Sequence, residues 1–133
     1  MPGFDLLISD INDLEEIKLP ILKVFDKTLD EACFYRDVGE LTSSLPTVNL
    51  QVGFYPKSGS VSCMISIEHD NELGNEVLAG RIANSLSRKC YLPDDNSPSY
   101  EAYLEFLPNS KTVRKVKLVE DDSGDSFRFQ PSD

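Results

Sequence analysis

The chain has 133 residues, with 23 Asp and Glu against 13 Lys and Arg, for a formal charge of −10. That length supports one core of ordinary size and not two comfortable ones. So large an excess of carboxylates argues against direct contact with nucleic acid phosphates or an anionic membrane, both of which depend on Lys and Arg, and leaves a basic protein, metal ions or plain solubility as its reason.

The opening stretch MPGFDLLISDIND lacks a basic n-region, and its short apolar run is broken by Asp5 and Asp10. It fits neither a signal peptide nor a membrane span, so a cytosolic protein is expected. Phe4 to Ile8 reads as a first strand, after which Ser9 or Asp10 offers a cap for a helix bearing Ile11, Leu14, Ile17, Ile21, Phe25 and Leu29. Pro20 removes a backbone donor within that pattern, which predicts a kink or two helices over 10–18 and 20–31.

Residues 47–55 and 61–69 alternate, with Val48, Leu50, Val52 and Phe54 on one face of the first and Val61, Cys63, Ile65 and Ile67 on one face of the second. Pro56 and Gly59 supply turn chemistry between them, so the pair is expected as a hairpin central to the sheet. Asp70 or Asn71 then caps a second helix, in which Leu78, Ile82 and Leu86 recur at i+4 beside Ala79 and Ala83, with Arg88 and Lys89 at its end. Gly74 and Gly80 weaken that helix, unless small residues let it approach the sheet closely.

Beyond the polar loop PDDNSPS, residues Tyr100, Ala102, Leu104 and Phe106 alternate with Glu101, Tyr103 and Glu105, and two further turns lead through TVRKVKLVE and DDSGD into SFRFQ. The last third is expected as a three-stranded meander. The whole chain, 1–133, then reads as a single α+β domain, a largely antiparallel sheet of hairpin plus C-terminal meander with helices packed on one face.

Catalytic and cofactor signatures are sparse. Cys33, Cys63 and Cys90 are odd in number and lack CxxC spacing, so free thiols are expected rather than a disulfide scaffold or zinc site. His69, the sole histidine, stands between Glu68 and Asp70, which favour its protonated form; it reads as an exposed or capping residue at a strand end. No serine lies in a GxSxG elbow and no glycine in a nucleotide-binding arrangement, so a small enzyme using His69 stays an alternative and the expectation is no enzyme and no cofactor. EDDSGD lacks the spacing of an EF-hand, with Ser132 where the bidentate Glu would stand. Lys111, Arg114, Lys115 and Lys117 read as an exposed or edge strand guarded by lysine.

The acids group better. Asp94 and Asp95 precede the strand whose solvent face is expected to carry Glu101, Tyr103 and Glu105, and Glu120, Asp121, Asp122 and Asp125 surround the final turn. Carboxylates beside an exposed tyrosine suit a Lys- and Arg-rich partner, through charge-assisted bonds and rigid contact area.

In size, acidity, α+β layout and absence of catalytic motif and targeting signal, the chain resembles the cytosolic immunity proteins of bacterial polymorphic toxins, including those of contact-dependent growth inhibition. The resemblance implies a monomer that neutralises a basic toxin domain, often a nuclease, without touching nucleic acid itself. The chain is also similar to the small acidic chaperones of type III secretion, which imply a homodimer and usually close with a C-terminal helix. Here the sequence closes on SFRFQPSD, a strand and a proline.

Overall fold

The computed structural model describes residues 3–36, 48–120 and 126–131. The strands are β1 (Gly3–Ile8), β2 (Ala32–Tyr35), β3 (Leu50–Pro56), β4 (Ser58–Gly59), β5 (Cys63–His69), β6 (Cys90–Pro93), β7 (Ala102–Phe106), β8 (Val113–Glu120) and β9 (Ser126–Pro131). The helices are α1 (Glu15–Phe25) and α2 (Asn75–Leu86), and Leu29–Glu31 makes a 3-10 turn. All described strands join one sheet in the order β2-β3-β5-β1-β6-β7-β8-β9-β4. Only β2 with β3 and β4 with β9 run parallel, so this is the expected largely antiparallel α+β domain.

The pleat sorts side chains between two faces. On one face Leu6, Ile8, Leu50, Val52, Phe54, Cys63, Ile65, Ile67, Cys90, Leu92, Leu104 and Phe106 form one core with Ile17, Ile21, Leu22 and Phe25 of α1 and Leu78, Ala79, Ile82, Ala83 and Leu86 of α2. Burying each large aliphatic chain contributes roughly 1.5–3 kcal/mol. On the other face Leu7, Val61, Tyr91 and Val116 are buried beneath Met64, Tyr103, Phe127 and Phe129. That second cluster exists because β4 lies in the turn between β3 and β5 yet pairs with β9, which curls the end of the sheet back over this face.

Several elements depart from the sequence reading. The β3/β5 hairpin forms as expected, but it takes the second and third places, while β6 holds the middle and β1 separates the hairpin from the meander. Val61 lies before β5 and joins the second cluster rather than the alternation with Cys63. α1 is a single helix across Pro20. It begins only at Glu15, because the Glu16 carboxylate accepts the N–H groups of Asn12 and Asp13, and it ends at Phe25. There Asp26 turns left-handed and the Lys27 N–H reaches back to the Leu22 carbonyl at 3.0 Å. α2 starts at Asn75 and not beside Asp70, since Asn71 is spent on an Asx turn, its side chain accepting the Leu73 N–H at 2.8 Å. β8 is no edge strand: it pairs with β7 and β9 on its two sides.

Candidate functional site

The expected acidic sheet face is only partly assembled. Glu105 is 3% exposed, one carboxylate oxygen accepting the Tyr91 hydroxyl at 2.9 Å and the other the Arg114 guanidinium, so it is a buried, ion-paired carboxylate and not a surface acid. Burial and this bond together push the Tyr91 phenol well above its ordinary pKa. Tyr103 is half-buried, its ring meeting that of Phe129 edge-on at 5.3 Å. Both corrections have one cause, the return of β8 and β9 over the face that alternation alone assigns to solvent. Glu101 is half-buried and ion-paired with Lys117 at 3.5 Å. Tyr100 is instead 86% exposed, because it precedes the strand. Asp121, Asp122 and Asp125 lie outside the described residues, as does the side chain of Glu120.

Asp94 and Asp95 remain, and the fold brings to them a residue the sequence reading did not include. Two adjoining hollows of about 410 and 290 Å³ both contain Glu76, Asp94, Asn96 and Leu104. Glu76 belongs to the first turn of α2, Asp94 and Asp95 to the β6–β7 loop, and Val77, Leu92, Pro93 and Leu104 give the smaller hollow an apolar lining. Among the described residues Glu76, Asp94 and Asp95 make no ion pair. Lys115 lines the larger hollow, and the N-terminus of α2 carries roughly half a positive charge, so three carboxylates leave the groove with about one and a half negative charges.

The loop that presents these acids is tied down. The Asp94 N–H donates to the Ala102 carbonyl at 3.0 Å, the Asp94 side chain accepts the Asn96 N–H at 3.1 Å, and the hydroxyls of Ser97 and Ser99 accept the N–H groups of Ser99 and Glu101. Polar residues that looked like a plain linker thus fix their own backbone. Groups held this way lose little further freedom when a partner docks.

His69 is not exposed. It is 1% exposed between the rings of Phe4 and Phe25, with Nδ1 accepting the Asn71 N–H at 3.1 Å. Burial lowers its pKa and outweighs the charge of Asp70, which reverses the expected direction. Cys33, Cys63 and Cys90 are free thiols. Cys63 and Cys90 both stand opposite Ile8, one on each side of β1, so two strand spacings of roughly 4.8 Å separate them, beyond disulfide reach. Burial pushes the Cys63 thiol up to about 12. Among the described residues no group of three His, Cys, Asp or Glu side chains could hold a metal ion, and no helix is long and apolar enough to cross a membrane.

Glu76 and Tyr91 are the residues that sequence reasoning missed. Glu76 was readable only as a helix N-terminal acid, and nothing local links it to Asp94. Tyr91 did leave a signal: Cys90, Tyr91 and Leu92 form an unbroken apolar run, the mark of a strand covered on both faces. Compared with protein-family models, curated proteins and solved structures, the chain finds no match.

Proposed function

We propose that this chain is a non-catalytic binding protein that engages a basic protein partner through the groove between α2 and the β6–β7 loop. In keeping with the resemblance to bacterial immunity proteins, that partner is a basic toxin domain, which the bound chain neutralises. The supporting observation is the set Glu76, Asp94 and Asp95, held on a bonded loop and a helix end beside apolar residues, with no ion pair among the described residues. A Lys or Arg of the partner finds carboxylates there, and its aliphatic stem finds Val77 and Leu104. The overall charge of −10 steers such a partner toward the molecule from a distance.

The test is co-expression with the products of neighbouring genes, recovery of the complex, and measurement of association for Glu76→Lys and Asp95→Lys, two exposed side chains that make no fold-stabilising bond among the described residues. Together these reversals are expected to slow association by about tenfold or more at low salt. Unchanged association would exclude the groove. A tight homodimer with no partner would instead favour the secretion-chaperone reading.

A further inference from the structure

At the opposite end of β6 and β7 lies a cleft of about 560 Å³, whose lining includes Asp10, Arg88, Lys89, Glu105 and Arg114. It gathers three cations against two carboxylates, in a chain whose net charge is −10. The charge of Glu105 is offset within the cleft, one oxygen accepting the Tyr91 hydroxyl and the other the Arg114 guanidinium. Its effect is to anchor one edge of Arg114. Arg88 is anchored too: Nε donates to the Asp10 carbonyl at 3.2 Å and Nη1 to the Ser87 carbonyl at 3.0 Å.

What stays open is a set of donors. Among the described residues Nη2 of Arg88, Nη1 of Arg114, Nζ of Lys89 and the hydroxyls of Ser60 and Ser87 have no hydrogen-bond partner. α2 ends at this cleft and its dipole there is negative; the Ser87 carbonyl accepts from Arg88 and the Lys89 carbonyl from the Ser9 N–H at 3.1 Å, while the Asp10 carboxylate has no bond among the described residues. Asp10 and Ser87, which both line the cleft, adopt left-handed backbone with φ of 58° and 57°.

We propose that this cleft binds a phosphomonoester. Two guanidinium edges, an ammonium and two hydroxyls from separate elements suit the several oxygens of a tetrahedral oxyanion. The volume lies within the range of small-molecule sites and leaves room beyond one phosphate for the group it esterifies. That group meets Pro108 and the stacked rings of Tyr91 and Phe129, whose centroids are 4.0 Å apart. Asp10 opposes the anion and sets a limit on its affinity.

The isotope-labelled full chain is titrated with inorganic phosphate and with glycerol 3-phosphate, and backbone amide shifts are followed by NMR. Saturable shifts are expected at Ser60 and at Ser87 to Lys89, with the ester binding more tightly than the free ion. Lys89 is exposed and unpartnered, so Lys89→Gln keeps the fold and is expected to weaken binding about tenfold. Asp10→Asn is expected to strengthen it about threefold. Shifts that never saturate, free phosphate binding as tightly as the ester, or an unaltered affinity in Lys89→Gln would each overturn the assignment. Glu76→Lys and Asp95→Lys leave this binding unchanged, so the cleft and the acidic groove stand or fall separately.

Discussion

His69 is enclosed by Phe4 and Phe25 with its Nε2 unpartnered among the described residues, and only its neutral form suits that setting. Because burial lowers the folded-state pKa below 6.5, the unfolded chain binds a proton that the folded chain refuses. The contribution of His69 to stability is therefore complete above pH 6.5 and is lost as pH falls toward the folded pKa. Chemical denaturation between pH 7 and 5 is expected to show declining stability in the natural chain and a flatter profile in His69→Phe, which keeps an aromatic ring between Phe4 and Phe25. Equal slopes would mean that other groups carry the acid sensitivity. The burial was legible in the sequence: His69 continues the alternation of Cys63, Ile65 and Ile67, a periodic signal stronger than the charges of its two neighbours.

Among the elements, the two-residue strand β4 has the largest consequence for its size. Gly59 has φ of 94°, and a Cβ built there would collide with the Phe127 backbone, so only glycine permits this approach. The Ser60 N–H bonds the Phe127 carbonyl at 2.7 Å, and the Lys57 ammonium lies 5.6 Å from the Phe127 ring centre. Gly59→Ala is expected to destabilise by at least about 2 kcal/mol and to release β9, since left-handed strain and a backbone clash add. Thermal unfolding and amide exchange of Phe127 to Gln130 check this; a variant that keeps both would show that β9 is held by β8 alone. Sequence reading found the turn through Gly59 and the strand SFRFQ. It could not find their pairing, because a contact between residues 59 and 127 leaves no local trace.

At the scale of the whole molecule, excess charge opposes compaction. Of the five ion pairs among the described residues, only the Glu105–Arg114 pair has a buried partner, and exposed pairs contribute about 0–1 kcal/mol each. Repulsion in a chain of net −10 therefore dominates the salt response. Raising ionic strength from about 0.01 to about 0.1 M shortens the Debye length from about 30 to about 10 Å. The midpoint of thermal unfolding is expected to rise over that interval; a fall would mean that favourable pairs outweigh the repulsion.

The sequence by itself determined the α+β class, the helix-side core and most strands, because periodicities of 2 and 3.6 are local properties that burial on one face must satisfy. It also determined that Asp94 and Asp95 stand on a polar loop. Only the tertiary structure decided that Glu76 joins them, that β1 divides hairpin from meander, and that Glu105 belongs to Tyr91 and Arg114. Those outcomes depend on which strands pair across long separations, and alternation states that a strand has two faces without stating what lies on each.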